Sequence, residues 1–221
     1  MAAPTAAAWG ADSGRVDLAE YERSVDYLTL RRRLLAGGQS EQVVAMADIL
    51  SRVRSDENLA GSYQYILQLS ELVAGSPYFG PLTQFGPESA PRRARETAVA
   101  VLGEVGDLAT ARFLARLLSV ERDSTMQALI LEALGALGAP VDEEVAARLG
   151  QIVRNDVARG PNDRLGLAIA DMITAVDEYR GGYLHPDVVD VLFAIAQANY
   201  SRSVRQHALD TLRSLAGGNA P

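Results

Sequence analysis

Val101-Leu102-Gly103-Glu104-Val105-Gly106 overlays Ala133-Leu134-Gly135-Ala136-Leu137-Gly138, and this match sets the frame for reading the whole chain. The pattern returns in weaker form as Met172-Ile173-Thr174-Ala175-Val176-Asp177, and again as Thr211-Leu212-Arg213-Ser214-Leu215-Ala216. Its aligned apolar residues, Leu102, Leu134, Ile173 and Leu212, are 32, 39 and 39 residues apart. Around them apolar residues recur at helical spacing, and strand-type alternation is scarce. A helix–turn–helix unit recurring over such distances predicts an all-α chain, a right-handed α-solenoid (superhelix) of stacked antiparallel helical hairpins.

Working outward, helices are predicted near 91–105, 108–120, 123–137, 142–155, 162–178, 186–199 and 203–216. Ser89 with Pro91, Asp123, Asp142, Asn162 with Asp163, and Ser203 stand where caps or first-turn residues belong. Upstream, 17–36 reads as a helix with Leu18, Tyr21, Val25 and Leu28 on one face, stopped by Gly37-Gly38. A second helix, capped by Ser40, turns Val43, Met46, Ala47, Leu50 and Val53 inward. A third spans about 58–74, with Leu59, Tyr63, Ile66, Leu67 and Val73 inward, and ends at Gly75. Residues 76–91 hold Pro77, Pro81, Pro87 and Pro91 with Gly80 and Gly86, which excludes a continuous helix. Residues 1–14 are rich in Ala, Pro and Gly and are expected to be a disordered tail ahead of one domain, 15–221. Each hairpin carries apolar stripes, with Val101, Leu102 and Val105 expected to face Leu114, Leu117 and Leu118. One hairpin cannot cover such stripes alone, so neighbours must stack. Small residues at Ala98, Gly103, Ala133 and Gly135 would let helices approach closely.

A family likeness rests on these residues. Arg95-Glu96-Thr97-Ala98, Leu102-Gly103-Glu104-Val105-Gly106-Asp107 and Ala111-Arg112-Phe113-Leu114-Ala115-Arg116-Leu117-Leu118 together resemble one HEAT-like repeat. The likeness is to the short variety first described in phycobilisome lyases. Val204-Arg205-Gln206-His207-Ala208 repeats its opening. The family's recurrent arginine falls on Arg95 and Arg205, whereas Gln127 and Gly166 occupy that position in the middle repeats. The resemblance is clear over 92–216 and faint over 17–75. It implies the fold and leaves activity open, since such repeats serve many unrelated functions.

Composition removes several chemistries. The chain has no cysteine, so disulfides, thiolate metal sites and cysteine nucleophiles are excluded. All 21 basic residues are arginine, which excludes Schiff-base and phosphate-loop lysines. A net charge of −7 disfavours general nucleic-acid binding. The most apolar stretch, 126–141, is broken by Glu132 and by glycines, so no membrane span is expected. Residues 1–14 lack the basic and apolar regions of a signal peptide, and a cytoplasmic location is expected. Ala6-Ala7-Ala8 before Trp9 resembles the end of a signal sequence, so a start upstream of Met1 would instead imply export.

Two sets of candidate site residues stand out. Tyr78, Phe79, Leu82 and Phe85 concentrate in the 76–91 loop of an aromatic-poor chain, as a partner anchor or as a cover for the seam beneath. From the HEAT-like resemblance, the second helix of each hairpin lines a concave face. Its exposed side would carry Arg112, Arg116, Glu144, Arg148, Gln151, Asp190 and Gln197, as a binding groove or as an ordinary solvated surface. The clusters Arg31-Arg32-Arg33 and Arg92-Arg93 with Arg95 read as helix-end decoration. Those at a helix start require acidic neighbours or a partner. His185 and His207 show no zinc spacing, and Asp142-Glu143-Glu144 suits a helix N-terminus. No catalytic motif is present, and neither a metal nor a cofactor is expected. The reading is a non-catalytic scaffold or adaptor for a protein or peptide. The alternatives are a lyase-like enzyme or its accessory subunit and, less favoured, a helical-repeat protein of nucleic-acid repair.

Overall fold

A computed structural model describes the backbone of residues 18–55, 63–76, 78–79, 90–180 and 185–217, and their side chains except at 18–26, 63 and 180. Among the described residues there are ten α-helices and no strand. They are α1 (Leu18–Ala36), α2 (Gln39–Arg54), α3 (Tyr63–Gly75), α4 (Arg92–Val105), α5 (Leu108–Val120), α6 (Ser124–Ala136), α7 (Glu143–Arg159), α8 (Asp163–Arg180), α9 (Asp187–Gln197) and α10 (Arg202–Gly217).

Local chemistry places most of the boundaries. Asp107, Asp123 and Asp142 each precede a helix in extended conformation, and their carboxylates accept from the amides of Thr110, Met126 and Val145. Asn162 does the same for α8, accepting from the amides of Arg164 and Leu165. One expected cap shifts by two residues. Gly38, not Ser40, caps α2, its amide donating to the Glu41 carboxylate at 3.2 Å. Ser203 lies in the first turn of α10, and Ser201 stands before it, accepting from the Val204 amide at 3.5 Å. A side chain caps only from just outside the first turn, and α2 begins at Gln39, which leaves Ser40 inside it. At the end of α6, Gly138 takes φ +58°. There the Ala139 amide donates to Leu134 O and the Gly138 amide to Gly135 O, both at 3.0 Å.

Helices pack both on their next-but-one neighbours and on adjacent helices in the chain. α2 lies on α4, α4 on α6, α6 on α8 and α8 on α10, while α1 lies on α3, α3 on α5 and α7 on α9. Across these rows the close pairs are α1–α2, α3–α4, α5–α6 and α9–α10. The expected facing of α4 and α5 is therefore corrected: α4 spends its apolar surface on α2, α3 and α6. The repeated Leu-Gly motif explains the closeness within the first row. A Cβ placed on Gly103 would stand 2.9 Å from Ala133 Cβ and 3.0 Å from its Cα, so α4 meets α6 almost backbone to side-chain stub. Leu102, Leu134 and Ile173 are buried beside these contacts, and Leu212 packs against the same core.

Buried residues from α1 to α10 form one continuous cluster. On α2 the inner face is rotated from the expected one: Gln42, Ala45, Met46 and Ile49 are buried, and Ala47 is exposed. Gln42 takes an inner place because its Nε2 donates to Leu34 O at 2.9 Å, satisfying a carbonyl in the last turn of α1. Leu28 is 56% exposed, and Leu30 and Leu34 fill the core instead. The side chains of Leu18, Tyr21, Val25, Leu59 and Tyr63 lie outside the described residues, as does the 1–14 segment. Among the described residues no helix is long and apolar enough to cross a membrane.

Candidate functional site

The row α1–α3–α5–α7 is loosely packed until α7 meets α9, and at its α5–α7 step, where the helices have little direct contact, two clefts open beside them. One side chain spans the gap. Arg148 of α7 donates to Leu118 O at 3.0 and 3.2 Å and to Glu121 O at 3.4 Å, satisfying carbonyls at the end of α5. Its remaining donor reaches Gln151 Oε1 at 2.8 Å. Burial shifts the Arg148 pKa downward.

On one side of Arg148 lies a cleft of about 850 Å³, lined by Tyr78, Glu121, Arg122, Gln127, Gln151, Asn155, Asp156, Arg159 and Asn162 among others. On the other side a smaller cleft of about 510 Å³ holds Arg112 and Arg116 from α5 with Asp142, Glu144 and Val145. Arg148 borders both.

The floor of the larger cleft is a saturated polar cluster. Glu121 is 2% exposed, and its carboxylate accepts from Arg95 at 2.6 Å, the Tyr78 hydroxyl at 2.9 Å and the amides of Arg122 and Asp123 at 2.8 and 3.0 Å. Burial alone would raise its pKa. The Asp123 amide, the Arg95 guanidinium, the Arg122 amide and the Tyr78 hydroxyl outweigh that effect and hold it below the usual carboxylate range. The Tyr78 hydroxyl is pushed up by its own burial and by Glu121. Asp156 is the second buried carboxylate, accepting from the Tyr200 hydroxyl and the Asn162 amide, both at 2.8 Å. Tyr200 is in turn pushed well up by burial and by this carboxylate.

Two aromatic side chains from the proline-rich segment reach this face. Tyr78 lines the larger cleft, is 39% exposed, and has the Arg95 guanidinium 5.4 Å from its ring centre. Phe79 is 49% exposed, packs edge-on against Phe113 at 5.7 Å, and lies under Arg116 at 5.9 Å. Leu82 and Phe85 lie outside the described residues. Nearby on α3, Glu71 has its carboxyl raised by burial and by Asp107, against the pull of Arg116.

The structure therefore gathers Tyr78, Arg148 and Gln151 on one cleft and Arg112, Arg116, Glu144 and Arg148 on its neighbour. It leaves Asp190 and Gln197 on the exposed side of α9, outside both linings. Sequence reasoning missed Glu121, Arg122, Asn155, Asp156 and Arg159. A helical-wheel signal for part of this set was present, because Arg148, Gln151, Asn155 and Arg159 follow one stripe of α7. The arginines at the start of α4 find acidic neighbours: Arg92 pairs with Glu96 at 2.7 Å and Asp123 at 3.2 Å, and Arg95 with Glu121. Arg33 pairs with Asp48 at 2.8 Å. His207 contacts Asp171 at 2.6 Å, and His185 lies 3.7 Å from Asp187. Among the described residues no group of three or more acidic or histidine side chains is placed to hold a metal.

No protein-family model, no curated protein and no solved structure matches this chain. What the geometry defines is a class: an all-helical protein with a polar, arginine-bearing pair of clefts at the α5–α7 step.

Proposed function

We propose that the chain is a right-handed solenoid of HEAT-like hairpins that works as a non-catalytic scaffold, holding a protein or peptide partner against the α5–α7 face. The two rows of next-but-one contacts support the solenoid reading, as does the passage of the Leu-Gly motif from one repeat to the next. One observation carries the functional reading. Tyr78, from a segment far from α7 in sequence, lines the same cleft as Arg148 and Gln151, while Phe79 lies beneath Arg116 of the adjoining cleft. Half-exposed aromatic rings beside arginines are the side chains that contribute most to protein interfaces. The two buried carboxylates of the larger cleft are already engaged by internal donors, which favours binding over acid–base work.

The test is affinity capture from native lysate with wild type, Tyr78→Ala/Phe79→Ala and Arg112→Glu, each shown to be folded by circular dichroism. A specific protein held by wild type and weakened at least tenfold in both variants is expected. Equal recovery by all three would move the function off this face. Recovery of nucleic acid alone, released by salt, would replace the proposal with the nucleic-acid reading.

A further inference from the structure

The larger cleft carries a charge asymmetry that its internal contacts leave unused. Glu121 is neutralised from behind by Arg95, and Asp156 is buried under Tyr200 and the Asn162 amide. Arg122 and Arg159, in contrast, are exposed at the cleft and form no ion pair among the described residues. Between the arginines of α7, on the same helical stripe, stand Gln151 and Asn155, both exposed. The span from Arg148 to Arg159 is about 16 Å of helix, the length of about five residues of extended chain. Carboxamides both donate and accept, so they match the alternating N–H and C=O groups of a peptide backbone. Guanidinium groups match carboxylates in a planar, two-point fashion. Two arginines exposed at one polar cleft, with no carboxylate paired to them among the described residues, form a positive site that an acidic ligand would complement.

From this arrangement we infer that the cleft binds an extended, acidic segment of a partner protein. The segment lies along α7 with its backbone on Gln151 and Asn155 and its carboxylates on Arg122 and Arg159. The inference rests on the reading of this face as a binding surface and names the chemistry of what it takes. Among the described residues Arg122 and Arg159 have no side-chain bonds to lose, so their replacement tests recognition without dismantling the cleft.

The experiment is selection of displayed random ten-residue peptides on the full chain. The strongest peptides are then titrated, as synthetic fluorescent probes, against wild type and Arg122→Ser/Arg159→Ser. Enriched peptides are expected to carry at least two Asp or Glu residues within about five positions. They should lose at least tenfold in affinity in the double variant and at least tenfold when every Asp and Glu becomes Asn and Gln. A fluorescent single-stranded ten-nucleotide DNA is titrated alongside, and it is expected to bind at least tenfold more weakly than the acidic peptides. Peptides enriched without acidic residues, or bound equally by the double variant, would overturn the acidic assignment. If those same peptides were lost in Tyr78→Ala/Phe79→Ala, the scaffold reading would still stand. DNA bound more tightly than any peptide, and released in the double variant, would overturn both.

Discussion

Glu121 shows how one residue joins parts of the chain that sequence keeps apart. Its carboxylate holds Arg95 from α4, Tyr78 from the segment after α3, and two amides at the start of the next turn. Arg95 is itself only 12% exposed, so removing one partner strands a buried charge. Glu121→Gln is expected to cost about 3 kcal/mol in urea unfolding at neutral pH. The pH dependence follows from the depressed pKa of the folded carboxyl. A carboxyl that ionises more readily when folded contributes its full stability above the ordinary carboxylate range and loses it as pH falls through the folded value. Wild type should therefore lose its advantage over Glu121→Gln as pH falls below the ordinary carboxylate range, about pH 4–5, with no convergence at higher pH. A constant difference between the two proteins down to acid pH would show that ionisation of Glu121 is not what holds the cluster.

At the scale of helices, the repeated glycine is a packing device. Alanine in a helix interior is favoured over glycine by about 1 kcal/mol when nothing stands in its way. At Gly103 the new methyl would meet Ala133 Cβ at 2.9 Å and its Cα at 3.0 Å, a backbone neighbour that no rotamer change removes. At Gly150 on α7 the nearest atoms are the flexible end of Arg154 at 3.3 Å and Val191 Cγ2 at 3.8 Å. Gly103→Ala is expected to destabilise by about 1 kcal/mol net of propensity, and Gly150→Ala to stabilise by up to about 1 kcal/mol. Thermal unfolding of the two variants beside wild type measures the pair. The same sign at both sites would remove close approach as the reason for the motif.

Across the whole molecule, the continuous core from α1 to α10 passes the loosely packed α5–α7 step, where the two helices have little direct contact. Arg148 closes that step with bonds to Leu118 O and Glu121 O, and charged donors to carbonyls contribute about 1.5–3 kcal/mol. Arg148→Met keeps the apolar stem and removes the donors. Amide exchange at the end of α5 and the start of α7 should then accelerate at least tenfold, while exchange in α2 and α4 changes little. Uniform acceleration along the chain would mean that the step is not a separate opening unit. The arrangement also bears on function, since the same side chain borders both clefts and a ligand on either would feel how firmly the step is held.

Helices, turns and the repeat were legible from residues alone because each depends on short-range rules. Apolar spacing marks a helical face, an aspartate just before a helix accepts from its first free amides, and Gly138 ends α6 with a positive φ that glycine tolerates. The repeat was legible for the same reason, its apolar position recurring four times in one chain, with Leu-Gly at two of them. The Ser40 cap and the inner face of α2 were misread where a local rule allowed two answers, and Gln42 shows why. A polar side chain reached the core because Leu34 O, in another helix, needed its donor. The candidate site depended on tertiary structure throughout. Tyr78 stands 43 residues from Glu121, Arg95 stands 26 and Arg148 stands 27, so no local pattern joins them. Sequence by itself determined the elements and their repetition, since the physics involved acts within a turn or two of helix. Only the tertiary structure decided which arginines face inward to a carbonyl or carboxylate and which stand exposed at a cleft, because that choice rests on partners brought together by packing.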